Sequence, residues 1–163
     1  MATKTRKHPV KLREIDDTDR QILNILSVNA RTRLTTIARE IKLSVDSTKK
    51  RLEKLEKNVI KKYTIQVYDE NIGLNLGVHV YVKLKDVTKE AYDALIKEFM
   101  TNPRAIDLIA MLGDYDLYIV FLAKDTYEMD EMKMEFRQKF STIIGEWKEV
   151  VVSKLYKLEE YRF

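Results

Sequence analysis

Residues 34–57 read LTTIAREIKLSVDSTKKRLEKLEK, and the second half of that stretch decides the fold. From Ser44 to Lys57 the apolar period is helical: Thr48, Leu52 and Leu55 share one side, and Val59 and Ile60 follow as an anchor. Steps of roughly 100° per residue bring Asp46, Ser47, Lys50, Lys54 and Lys57 to the opposite side, with Lys49 and Arg51 on its flanks. The apolar side needs a cover, and the cationic side is left for a polyanion.

The two preceding segments supply the cover. Asp16 is placed to cap a first helix, Asp17 and Asp19 suit the positive end of its dipole, and Ile22, Leu23, Ile25 and Leu26 give it a broad apolar stripe. Residues 29–33 break the pattern. A short second helix follows with Leu34, Ile37, Ala38 and Ile41 inward, Ala38 being small enough for a close helix approach. Leu43 and Ser44 come next, and the Ser44 hydroxyl can cap the third helix. The pattern is a helix-turn-helix whose third helix reads duplex DNA.

In these residues the chain resembles the Lrp/AsnC, or feast/famine, transcription regulators of archaea and bacteria. The resemblance rests on Ile15-Asp16, Asp19, Ile22-Leu23, Leu26, Arg31, Ile37-Ala38, Leu43-Ser44, Arg51-Leu52, Leu55-Glu56, Val59-Ile60 and Tyr63, in the order and spacing of that family. Three positions depart from it. Lys42 stands where the family usually has the turn glycine, Val45 where proline often opens the third helix, and Asn58 where glycine usually closes it. Asn tolerates the left-handed conformation expected at 58. A lysine with positive φ at 42 costs on the order of 1 kcal/mol.

The 163 residues, 45% of them hydrophobic, suffice for one moderate core or two small ones, and charge favours two. Residues 1–63 carry 17 Lys and Arg against 8 Asp and Glu, whereas residues 64–163 carry 13 against 18. A basic head on an acidic body suits a module that meets a polyanion through one half only. Cysteine is absent, which excludes disulfides, thiolate metal sites and thiol nucleophiles. No catalytic set, metal or cofactor is expected, no apolar run reaches the roughly 18 residues of a membrane span, and a cytoplasmic protein is expected. Lys4, Arg6, Lys7, Lys11 and Arg13 make residues 1–14 a basic tail, read either as an arm along phosphates or as a solubilising segment.

After the third helix the period changes from helical to two. Residues 62–69 read as a strand, and 71–77 as a loop with two glycines, so that 15–62 form the head, 63–77 a strand and hinge, and 78–163 the body. The body reads as strand 78–85, helix 88–101, strand 105–112, turn 113–116, strand 117–123, helix 127–144 and strand 147–158. That order, βαββαβ, is ferredoxin-like; the fold class is α+β with a winged-helix-like head. Tyr92, Leu95, Ile96 and Phe99 on one helix, and Met129, Met132, Phe136 and Phe140 on the other, cover one sheet face. The other face, with His79, Tyr81, Lys83 and Lys85, needs a partner, and a second copy is the simplest one. A two-fold homodimer places two reading helices about 34 Å apart on a pseudo-palindromic site.

The body too is similar to the family's effector-binding and oligomerisation domain, because Gly113-Asp114-Tyr115-Asp116 stands where that family has its Gly-Asp-Tyr-Asp turn. The resemblance implies dimers assembling into tetramers or octamers, with an amino acid or other small effector held near this turn. Independently, Gly113 can expose amide donors and the carboxylates of Asp114 and Asp116 can receive an ammonium. An ordinary hairpin turn uses the same residue types.

On the reading helix, Lys49, Lys50, Arg51, Lys54 and Lys57 are expected to attract phosphates, Ser47 and Lys50 to reach base edges, Asp46 to accept from cytosine, and Ser44 to cap. Two other classes remain open. An architectural protein that wraps DNA with weak sequence choice and no effector would look much the same. A siroheme-decarboxylase-like enzyme shares both halves, but needs imidazole or cationic groups round a tetrapyrrole, and this chain has only His8 and His79.

Overall fold

A computed structural model of the chain describes residues 15–158 and 160–163; the basic tail and His8 lie outside the described residues. The chain divides into two compact units, one running to Gln66 and taking in Lys157–Phe163, the other spanning Val67–Tyr156.

The first unit holds three helices: α1 (Asp17–Val28), α2 (Leu34–Glu40) and α3 (Val45–Asn58). Asp16 starts α1, its carboxylate accepting the Asp19 amide at 2.8 Å. Ser44 starts α3 in the same way, accepting from the Ser47 amide. Helix α2 has no side-chain cap and ends instead on a pair of backbone bonds, Lys42 N–H to Arg39 O at 3.3 Å and Leu43 N–H to Ala38 O at 3.0 Å. That closure requires a left-handed residue, and Lys42 takes it with φ +56°. Asn58 was expected to be left-handed and is helical; its side-chain amide donates to Lys54 O at 2.9 Å. Ile22, Leu23, Leu26, Ile37, Ile41 and Leu55 form the core, with Ile15, Ile25, Leu52 and Ile60 against it. The Asn24 side chain also pairs with the backbone of Phe163, accepting at 2.9 Å and donating at 3.1 Å.

Residues 62–69, expected as a strand, form none among the described residues. Alternation sets which side each side chain takes, but a strand also needs a ladder partner, and this segment has none among the described residues. A short 3-10 turn at Asp69–Ile72 follows, closed by left-handed Gly73 at φ +78°.

The second unit is β1 (Leu76–Leu84), α4 (Lys89–Thr101), β2 (Ala105–Ala110), β3 (Leu117–Ala123), α5 (Thr126–Lys139) and β4 (Ile144–Val151). The sheet is antiparallel in the order β2-β3-β1-β4, the ferredoxin-like arrangement. Both helices pack on the face carrying Val78, Val80, Val82, Ile119 and Phe121, where Leu95, Phe99, Met129 and Phe136 complete the core. Helix α5 stops five residues short of the expected end. The chain turns at Phe140, whose carbonyl accepts from Ile143 and Ile144, and the β-branched run Thr142-Ile143-Ile144 then enters the sheet opposite Leu84. Strand β2 was expected to be covered on both faces; as an edge strand it leaves Ile106 and Ile109 half exposed. No described helix is long and apolar enough to cross a membrane.

Candidate nucleic-acid interface and effector turn

Helix α3 is oriented by its buried side. Thr48 is fully buried, its hydroxyl donating to Ser44 O at 2.9 Å, and Leu55 is buried in the core. Tyr63 ties the following chain back to the helix, donating to Glu56 at 2.9 Å; burial and that carboxylate push its phenol up to about 12. With the apolar side fixed, Asp46, Ser47, Lys49, Lys50, Lys54 and Lys57 are all exposed. Among the described residues none of these four lysines meets a carboxylate. The Ser47 oxygen accepts from the Ser44 hydroxyl at 2.9 Å, which leaves its own proton free to donate outward.

Arg51 departs from the expectation that it faces phosphates. Its guanidinium turns to α1, reaching Asp16 at 2.7 Å and Asp19 at 2.9 Å through the same nitrogen. Asp19 is only 1% exposed, so a buried carboxylate needs that cation more than solvent or DNA does. The clamp fixes the rotation of α3 against α1. The carboxyl of Asp16 is held below its ordinary range by the Asp19 amide and then by Arg51. Asp16 and Asp19 look like dipole residues in a first turn; no sequence signal links them to position 51 across the turn.

At the other site, Gly113-Asp114-Tyr115-Asp116 connects β2 to β3. The turn is closed by Met111 N–H to Asp116 O at 2.8 Å, and Asp116 N–H to Val82 O at 3.0 Å ties it to β1. The Asp116 carboxylate, expected to receive an ammonium, already accepts the Leu84 amide at 2.7 Å, with Lys83 at 3.9 Å. Its position beside β1 makes it part of the turn's scaffold. Tyr115 donates to Glu146 at 2.7 Å, a bond that raises its phenol, and the Lys148 ammonium lies 5.9 Å from its ring. Gly113 has φ +152° and open space where a Cβ would be, and Asp114 is exposed. The four residues are therefore together, with Asp114 alone offering an uncommitted carboxylate.

On the sheet face away from the helices, Tyr118 and the His79 Nδ1 approach to 3.0 Å, and Tyr81 packs between Tyr115 and Tyr118 at 5.7 and 5.3 Å. Burial raises the Tyr118 phenol. Trp147 lies instead on the helix-covered face, stacked with Phe121 and Phe136. Among the described residues no group of three or more His, Cys, Asp or Glu is placed to hold a metal.

Residues 15–56 match the AsnC-type helix-turn-helix domain. Over 107 residues, 65% of this chain and 72% of the relative, the sequence is 33% identical to the HTH-type transcriptional regulator LysM of Saccharolobus solfataricus. It is 26% identical to the regulator FL11 of Pyrococcus furiosus over 117 residues, 71% of this chain and 76% of that one. The fold is shared with the Neisseria meningitidis transcriptional regulator NMB0573 solved with L-Met, at TM-score 0.83 and 19% identity, covering 91% and 96% of the two chains. It is shared equally with AsnC of E. coli, at TM-score 0.80 and 20% identity over 92% and 99%. With the head's match, the LysM identity and the βαββαβ body in agreement, the chain belongs to the Lrp/AsnC family of DNA-binding transcriptional regulators.

Proposed function

We propose that this regulator reads DNA through the exposed side of α3 as a homodimer, that dimers join into tetramers or octamers, and that an amino acid bound at the Gly113–Asp116 turn modulates it. The carrying observation is the set Lys49, Lys50, Lys54 and Lys57, exposed on one helix without carboxylate partners among the described residues, beside a hydroxyl with a free proton at Ser47. Lysines on a solvated surface attract phosphates, giving affinity that falls steeply with salt, while base choice needs side chains near the helix N-terminus. Lys50 and Ser47 fill that second role, and Asp46 is exposed in the same turn. The functional division is the head at 15–62, a linker at 63–77 and the body from 78 onward. The aromatic face with Tyr81 and Tyr118, together with an alternating segment at 62–69 that lacks a ladder, favours a second copy as partner.

The test is a mobility shift against the protein's own promoter and random duplex at two salt concentrations. Lys50→Ala is expected to lower affinity and narrow the gap between the two duplexes; Lys57→Ala lowers affinity for both alike. Equal blurring by both variants refutes the assignment, and equal binding of both duplexes by the unaltered protein points to an architectural role. For the effector, the L-Met held by the Neisseria relative suggests the amino-acid class. One of the twenty amino acids is expected to raise the Tm, and Asp114→Ala to abolish the rise. A flat screen removes the effector from the proposal.

A further inference from the structure

Lys42 is out of place for a residue that serves only the fold. It closes α2 in the left-handed conformation at φ +56°, where a side chain is penalised and glycine or asparagine is not. The backbone bonds that close α2 would be made as well by glycine or asparagine, and among the described residues the lysine side chain adds nothing to them: it is exposed and its ammonium meets no carboxylate or carbonyl. Its place in the fold is specific. One residue, Leu43, separates it from the Ser44 cap, so its Cα lies within about 8 Å of the cap at the end of α3 that carries Ser47 and Lys50. A helix that enters the major groove by its N-terminal end brings the residues just before it level with the groove wall, which is made of phosphates.

We propose that Lys42 is a phosphate-binding residue of the DNA interface, its backbone strain tolerated because the turn holds the ammonium at the groove wall. The inference rests on α3 being the reading helix and adds a contact from outside it. A rival role exists on the same element, since a cation near the C-terminal end of α2 also meets the negative end of the helix dipole. The two roles differ in what removing the charge does.

Three variants of the full chain separate them: Lys42→Gln, Lys42→Arg and Lys42→Asn. Binding is measured across a salt series to a random duplex of about four helical turns and to a duplex selected by the unaltered protein from a randomised library. Losing one phosphate contact reduces the salt slope by about 0.9 per protomer, which at about 0.1 M salt is an eightfold loss of affinity per protomer and about sixtyfold for a dimer, equal for both duplexes. Lys42→Gln and Lys42→Asn are expected to show this loss, and Lys42→Arg to keep the parental affinity and slope. The Tm of Lys42→Gln stays at the parental value, while that of Lys42→Asn rises by about 2 °C because the left-handed strain is relieved. A Lys42→Gln protein with parental affinity and slope overturns the proposal while leaving α3 as the reader. A fall in Tm for Lys42→Asn also overturns it, since the lysine then serves α2. If the unaltered protein binds neither duplex, the reading helix itself fails and this contact with it.

Discussion

In the head the buried set is aliphatic and small, six residues from Ile22 to Leu55, and one corner of the packing is ionic, where Arg51 meets Asp16 and Asp19. In the body the centre is aromatic: Phe99 stacks on Phe136 at 4.7 Å between centroids, Phe121 packs on both, and Trp147 lies along Phe121 and Phe136. The difference follows from surface and volume. Three short helices have little interior, so a polar clamp helps fix their angles, whereas a sheet covered by two helices has room for rings that each bury about 150–250 Å². The head trades core for a free charged surface, and the body does the reverse.

The largest expected effect comes from the body. Phe121→Ala removes a ring with no exposed surface from the middle of the stack and is expected to destabilise that unit by about 3–5 kcal/mol. Trp147 is the chain's one tryptophan and sits on that ring, so urea unfolding followed by its fluorescence reports the body alone. Hydrogen exchange of the buried α1 and α3 amides reports the head and is expected to stay near the parental rate. If the head amides lose protection in step with the tryptophan signal, the two units fold as one and the contrast between them collapses.

Arg51→Met asks the same question from the other side. It leaves the buried Asp19 carboxylate without the guanidinium 2.9 Å away, a change expected to cost about 2 kcal/mol because the pair is partly open to solvent. Exchange in α1 and α3 should quicken while the Trp147 transition stays put. A variant as stable as the parent, but with weaker and less salt-sensitive DNA binding, would return Arg51 to the phosphate-facing set.

Most of the head is legible residue by residue, because caps and apolar periods are local. Asp16 and Ser44 announce helix starts, and the alternation of Leu52 and Leu55 with lysines announces which side is free. What escapes is pairing across the chain. Arg51 reads as one more cation in a basic run, and only the fold brings it to Asp19, 32 residues earlier. Residues 62–69 fail as a strand for the related reason that a ladder is a property of two segments. In the body, the element order and the helix faces follow from the periodicity and the Gly-Asp turn. The end of α5 does not, because Phe140 sits equally well on a helical stripe and at its cap, and tertiary pairing of Ile144 with Leu84 decides. The Gly-Asp-Tyr-Asp turn is legible as a group of residues, but Asp116's use by the Leu84 amide depends on where β1 lies.

The smallest expected effect is confined to acid and belongs to the head's clamp. Asp16 is held below its ordinary value of 3.8, first by the Asp19 amide and then by Arg51. A carboxyl depressed in the folded state stabilises it fully above the unfolded value and loses that contribution as the pH falls through the folded one, so the head gains an acid limb below about pH 3.8. Asp16→Asn keeps a side-chain oxygen for the Asp19 amide but carries no charge to lose. Its head should be slightly less stable than the parent at neutral pH and should show a shallower fall on acidification, read by hydrogen exchange in α1. The body has its own depressed carboxyl in Glu128, held chiefly by the Lys124 amide and also by Arg104, and its Trp147-monitored acid limb should not change. If Asp16→Asn moves both limbs together, the ionic corner of the head is coupled to the aromatic stack. A head limb that keeps its parental steepness means that the charge of Asp16 does not carry the acid limb, and Asp16 is only a cap.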